Sequence, residues 1–167
     1  MRLFFYGTLR DPDVRRAVFG PRAEALAIRP AALLGYRILS AKAGPFPVLV
    51  RRTAARATGE LVEGLGHGDL LRLFHFEGPK YLPSEALAVD PAGRRLSAWV
   101  LLPTGGHPAS GRSWRLREWQ LYRKPRVMPS LRVWMREFAR FEGSSVEITW
   151  PVRRRLKAWR DAGELED

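Results

Sequence analysis

Met1-Arg2-Leu3-Phe4-Phe5-Tyr6-Gly7-Thr8-Leu9 opens the chain with a short apolar run that stops at a glycine. Arg2 to Tyr6 reads as a buried strand, and Gly7 as the turn that ends it. Asp11 and Pro12 follow as an N-cap and first-turn pair for a helix over Val14 to Phe19. A strand that breaks at Gly-Thr and hands over to a helix presents backbone N–H groups in a concave turn. Such a turn suits a carboxylate or a phosphate. Many domains begin this way, so the turn needs a partner with chemistry of its own.

A chain of 167 residues is long enough for one domain with a proper core. The sequence divides into a core over about 1–110 and a helical, basic extension over about 111–167. There is no cysteine, which excludes a disulfide framework, a thiolate metal site and a cysteine nucleophile. No basic-then-apolar leader and no membrane-length apolar run is present, so a cytoplasmic protein with no membrane partner is expected. The net charge is +12, and residues 111–167 hold 14 Lys and Arg against 8 Asp and Glu. That density suits an anionic partner such as nucleic acid, or an ordinary solvated arginine surface.

Past the first helix, Ala23 to Ile28 and Ala32 to Ser40 read as extended segments between Pro21, Pro30 and Gly35. Gly44-Pro45-Phe46-Pro47 is a rigid turn before strands at Val48 to Arg52 and Ala57 to Leu65. The glycine-rich stretch Gly64 to Gly68 lacks the dinucleotide-binding spacing and reads as a flexible turn. Asp69 is the expected N-cap of an apolar helix over Leu70 to Phe76, stopped by Gly78-Pro79. Ser84 to Val89 and Arg94 to Leu102 form a hairpin, and Pro103 to Gly111 a loop. Trp114 to Tyr122 and Leu131 to Phe141 are predicted helices. Leu131, Trp134, Phe138 and Phe141 stripe the second, which Gly143 caps. Val146 to Trp150 reads as a strand end, and Arg153 to Arg160 as a basic helical tail.

Most catalytic constellations are missing. His67, His75 and His107 are scattered without partners at ligand spacing, and Ser113 and Ser130 have no base. No phosphate-binding loop or nucleophile elbow occurs. Glu77 stands apart: a lone carboxylate among Leu73, Phe74, Phe76 and Tyr81, at a helix C-terminus whose partial negative charge opposes ionisation. Buried there, it gains a pKa near neutrality, as a general acid/base requires; left in solvent, it is an ordinary helix-end glutamate.

Tyr6-Gly7-Thr8-Leu9, Gly44-Pro45-Phe46-Pro47-Val48-Leu49-Val50, Thr58-Gly59-Glu60-Leu61 and Leu73-Phe74-His75-Phe76-Glu77-Gly78, with Tyr81 four residues past Glu77, occur in this order. The series resembles the γ-glutamylcyclotransferase family, in its γ-glutamylamine-cyclotransferase and AIG2-like branch, over about residues 1–102. The resemblance implies an α+β fold, a small mixed β-barrel flanked by helices with a pocket at one end. It further implies cyclisation of a γ-glutamyl amide or γ-glutamyl peptide to 5-oxoproline with release of the amine, without metal or cofactor. Tyr6, Gly7, Thr8 and Leu9 map onto the substrate-holding turn, Glu77 onto the catalytic acid/base, and Phe46 and Tyr81 onto pocket walls. Phe74 and Pro83 depart from the Asp and Arg common at those family positions. Two alternatives remain: a small-carboxylate binder on the same fold, or a basic module. In the latter, Arg132, Arg136, Arg140 and Arg153-Arg154-Arg155 track phosphates while Trp114, Trp119 and Trp159 stack on bases.

Overall fold

A computed structural model describes residues 1–79, 81–104, 108–140 and 150–165. Its first strand, β1 (Leu3–Phe5), is buried on both faces. Alternate side chains serve two cores, as the period of two requires. Phe4 and Tyr6 join Leu33, Leu61 and Val100 in one cluster, while Leu3 and Phe5 join the residues of the helices in another. This explains why the run is apolar without alternation.

Six strands make one sheet: β1, β2 (Ala27–Ala41), β3 (Pro47–Glu63), β4 (Tyr81–Val89), β5 (Arg95–Pro103) and β6 (Ala109–Ser113). Hydrogen bonding runs β3-β1-β5-β4-β2, and β2 pairs again with β3, so these five close into a barrel. β1 lies parallel to β5 and antiparallel to β3, which makes the barrel mixed. β6 adds to the end of β2. The lumen is narrow, lined by Ala31, Ala57, Ala88 and Ala98 around Phe4. A Cβ on Gly59 would lie 2.4 Å from the Phe4 ring and 2.4 Å from the Phe5 carbonyl oxygen, so only glycine fits there. The architecture is α+β, the barrel being joined among the described residues by five helices: α1 (Pro12–Phe19), α2 (His67–Glu77), α3 (Leu116–Tyr122), α4 (Lys124–Arg140) and α5 (Trp150–Asp161).

Several boundaries differ from expectation for identifiable reasons. Ala23 belongs to a 3-10 segment, Gly20–Ala25, rather than to a strand. β2 and β3 each run through the expected breaks. Pro30 sits within β2, and Gly35 at φ 78° supplies a bulge between Leu34 and Tyr36. α2 begins at His67 with Gly66 as its N-cap. Asp69 is the third helical residue, and its carboxylate reaches back to the Gly66 N–H at 2.9 Å. Ala109 to Ser113 is a strand, not loop. α4 starts seven residues before the predicted Leu131, because Pro125 occupies its first turn, where no intrahelical bond is lost. Its buried side chains include Met128, Leu131, Met135 and Phe138, whereas Trp134 is half exposed. Trp150 begins α5. The expectations on His107, Phe141, Gly143 and residues 146–149 lie outside the described residues.

α3, α4 and α5 contribute Trp119, Leu131, Met135, Leu156 and Trp159 to the same apolar cluster as Leu3, Phe5 and α1. Polar contacts at Asp11 fasten α3 and α4 to the N-terminal turn. Asp11, fully buried, accepts N–H bonds from Asp13 and Val14 as N-cap of α1. Its other oxygen accepts from Gln120 Nε2 and Lys124 Nζ, both at 2.8 Å. Burial alone would raise its pKa, but the Lys124, Gln120 and Val14 hydrogen bonds outweigh it and hold the carboxyl below its ordinary value of 3.8.

Asp11→Ala is expected to cost about 2–3 kcal/mol, from the lost N-cap of α1 and the lost Gln120 and Lys124 hydrogen bonds, Lys124 keeping Asp13 as its ion-pair partner. Asp11→Asn should cost about 1 kcal/mol less, because asparagine still caps α1. Since the folded pKa lies below the unfolded one, the carboxylate's contribution is fully present above 3.8 and lost as pH falls through the depressed value. Urea denaturation across pH should therefore show a constant gap between wild type and Asp11→Asn near neutrality, narrowing only in acid.

Candidate active site

At one end of the barrel lies a cavity of about 300 Å³. It is lined by Tyr6, Gly7, Thr8, Leu9, Phe46, Glu77 and Tyr81, together with Pro47, Phe76, Leu101 and residues of β1. All seven candidate residues thus share one concavity, although they come from four separate stretches of chain.

The turn is built by backbone geometry. After β1 the chain tightens into a 3-10 turn, Thr8–Arg10, in which the N–H groups of Arg10 and Asp11 bond the carbonyls of Gly7 and Thr8 at 3.1 and 2.9 Å. The N–H groups of Thr8 and Leu9, earlier in the turn, have no carbonyl within it. Gly7 has φ −117°, open to any residue, so its need for glycine comes from elsewhere: a Cβ there would meet Pro47 Cγ at 2.6 Å. Pro47 therefore presses directly on the turn. Arg15 holds it from the other side, donating to the Leu9 carbonyl and to Glu60, each at 3.0 Å. β1–β3 pairing sets Glu60 opposite Phe5 and so places that carboxylate beside the turn.

Glu77 is the last residue of α2, where Gly78 at φ 79° turns the chain away. The side chain is part-buried and faces the cavity. Among the described residues no basic side chain pairs with it, and desolvation raises its pKa from 4.5 to about 7. Tyr6 donates its hydroxyl to the Leu101 carbonyl at 3.3 Å. Burial first, then the charges of Glu77 and Tyr81, raise its pKa well above 10.0. Burial and then Glu77 push Tyr81 up to about 12. Both phenols stay neutral, so the cavity combines one titratable carboxylate with hydroxyl and backbone donors.

Other contacts brace the site. The His75 ring stacks on Trp134 of α4 at 4.3 Å, and Trp134 Nε1 donates to the His75 carbonyl at 3.2 Å. This fixes the last turn of α2, two residues before Glu77. Pro47 was expected in a rigid turn, with nothing in the sequence to signal its approach to Gly7, and the Arg15–Glu60 and His75–Trp134 pairs carry no local sequence signal either. Phe74 packs in the apolar cluster and Pro83 pairs with Leu101 in the sheet; neither side chain lines the cavity. Among the described residues no group of three or more histidines and carboxylates is arranged to hold a metal, and no helix is long and apolar enough to cross a membrane. Trp119 and Trp159 are buried at 3% and 2% exposure, so they are closed to base stacking. Arg132 and Arg136 are exposed.

Glu77→Gln removes a carboxylate that costs stability when ionised. The folded pKa of about 7 exceeds the unfolded 4.5, so the native state loses stability as pH rises through this interval. Thermal melts should show Glu77→Gln more stable than wild type by up to about 3 kcal/mol at about pH 8, with the two converging below about pH 5.

Comparisons with known proteins agree with this architecture. The family model described as gamma-glutamyl cyclotransferase, AIG2-like, matches residues 3–129. A search of curated protein sequences gives no significant match. Among solved structures, an Arabidopsis thaliana protein superposes with a TM-score of 0.57 at 19% identity, covering 89% of this chain and 94% of its own. An uncharacterized Homo sapiens protein gives 0.52 at 11% identity, covering 93% and 97%. A structure named gamma-glutamyl cyclotransferase gives 0.50 at 10% identity, covering 95% and 98%. These likenesses speak for the fold. With the family model spanning most of its length, the chain belongs to the AIG2-like gamma-glutamyl cyclotransferase family.

Proposed function

We propose that this chain cyclises a γ-glutamyl amide or γ-glutamyl peptide to 5-oxoproline and releases the amine. The observation that carries this reading is Glu77: a single cavity-facing carboxylate, raised to about 7 by burial, in the same cavity as the glycine turn. Family membership supplies the reaction class.

The glutamyl α-carboxylate would sit on the turn, held by the N–H groups of Thr8 and Leu9, with Phe46 and Tyr81 walling the cavity. Glu77, as carboxylate, takes a proton from the substrate α-ammonium. The freed amine attacks its own γ-carbonyl carbon, forming the ring C–N bond and a tetrahedral oxyanion. The oxyanion collapses as the exocyclic C–N bond breaks, and Glu77 returns its proton to the departing nitrogen. In the net reaction the α-nitrogen gives up two protons and the amide nitrogen gains two, leaving as an ammonium. Nucleophile and electrophile belong to one molecule, so holding the folded conformer supplies much of the acceleration. Neutral Tyr81 is suited to donate a hydrogen bond to the carboxylate or the oxyanion, whereas Tyr6 gives its hydroxyl proton to the Leu101 carbonyl and serves as wall. A group that titrates near the working pH serves both proton transfers.

A 5-oxoproline release assay across γ-glutamyl peptides and amines tests the reaction. Wild type should turn over at least one of them. Glu77→Gln should lower the rate by about 10²–10⁴-fold while keeping its cooperative melt. Full activity in that variant removes Glu77 from the mechanism. The wild-type kcat/KM should climb as pH rises through about 7, because the free enzyme needs the carboxylate form.

A further inference from the structure

Residues 44–47 wall two concavities. Phe46 and Pro47 line the Glu77 cavity, while Gly44 and Pro45 line a wider groove of about 650 Å³. The two share a second boundary, because α3 packs against the Thr8–Arg10 turn and also forms one side of the groove. The shared wall is held in place where Trp114 Nε1 donates to the Pro45 carbonyl at 3.4 Å.

The groove is cationic. Lys42, Arg112, Arg115 and Arg123 line it, and Glu118 is its one carboxylate. Glu118 is taken by Arg115 at 3.2 Å. Among the described residues no carboxylate pairs with Lys42, Arg112 or Arg123. Three uncompensated cations around one concavity repel each other and create a field that draws in anions. A cavity of about 300 Å³ encloses a glutamyl group, but the amine part of any larger substrate must project out of it. The Gly44–Pro47 segment that walls the cavity on one side walls the groove on the other, so a substrate group projecting past Phe46 is directed toward the groove.

We infer that the groove receives the amine part of the substrate and selects γ-glutamyl compounds in which that part is polyanionic, an acidic oligopeptide being the simplest. The inference rests on the cyclotransferase reading for the placement of the glutamyl group. A cationic amine part meets like charge in the groove and is disfavoured.

The test uses Glu77→Gln protein, which keeps the cavity shape and holds ligand without turnover. Calorimetric titration compares γ-Glu-Glu-Glu with γ-Glu-Gln-Gln-amide at low and high salt. The acidic peptide should bind about tenfold tighter at low salt, and the preference should fade at high salt. Adding Arg112→Gln with Arg123→Gln should bring the ratio close to one, and Lys42→Glu should lower it independently, each with an unchanged melt. Equal affinities, binding of neither peptide, or a preference that survives these substitutions overturns the inference. So does a single-stranded oligonucleotide that binds more tightly and displaces the acidic peptide. Wild-type 5-oxoproline release is measured in parallel. Its absence, alongside an intact charge preference in Glu77→Gln, removes the reaction while leaving the anion-selective groove standing.

Discussion

The burial of Asp11 is the constraint on which the remaining structure depends. A carboxylate removed from water is costly unless every lone pair is satisfied, and here the chain converges on it from three directions. Two backbone N–H groups of α1 take one oxygen, and Gln120 and Lys124 take the other. Lys124 also reaches Asp13 at 2.7 Å, so one ammonium neutralises two acids at the head of a helix. The Thr8–Arg10 turn ends at Asp11 and has no freedom to drift once that residue is locked. α3 and the start of α4 thereby hold the Gly7 turn in place. Trp134, stacked on His75, gives the Glu77 side a similar brace from α4.

Glu77 receives the opposite treatment. Asp11 is surrounded by donors and held in its charged form, whereas Glu77 faces a cavity of phenyl, phenol and backbone groups with no cation among the described residues to steady it. The same low-polarity surroundings that make an unpartnered carboxylate expensive also make it a proton carrier near neutral pH. The buried Asp11 is devoted to architecture, and the part-buried Glu77 is left without a charged partner among the described residues.

Much of this was legible in the chain because it depends on local rules. The apolar run ending at Gly7, the Asp11-Pro12 cap and the Gly78-Pro79 stop each announce a boundary through their own backbone preferences. Glu77 stood out as a charged residue in an apolar helix end, and the serial motifs pointed to the barrel. What was not legible depends on pairing at a distance. Nothing near Gly35 says that β2 continues through a bulge, and nothing near Arg15 names Glu60 as its partner. Gly7 was read as the turn that ends the strand, yet its φ is negative and the demand for glycine comes from Pro47, forty residues away in sequence. Trp134 joined a core stripe by periodicity but lies half exposed, because α4 rotates Met128 and Met135 into the core and turns Trp134 toward His75.

The three residues of β1 have a consequence for the order in which the protein assembles. β1 is made first, yet it has no sheet to enter until β3 exists, and the barrel stays open until β5 arrives on its other side. The Tyr6–Leu101 hydrogen bond spans 95 residues of chain. Loop closure over that distance comes late and slowly. With β1 lying between β3 and β5, the pairings that close the sheet are the same ones that bring the Gly7 turn and Tyr6 into one cavity with Glu77.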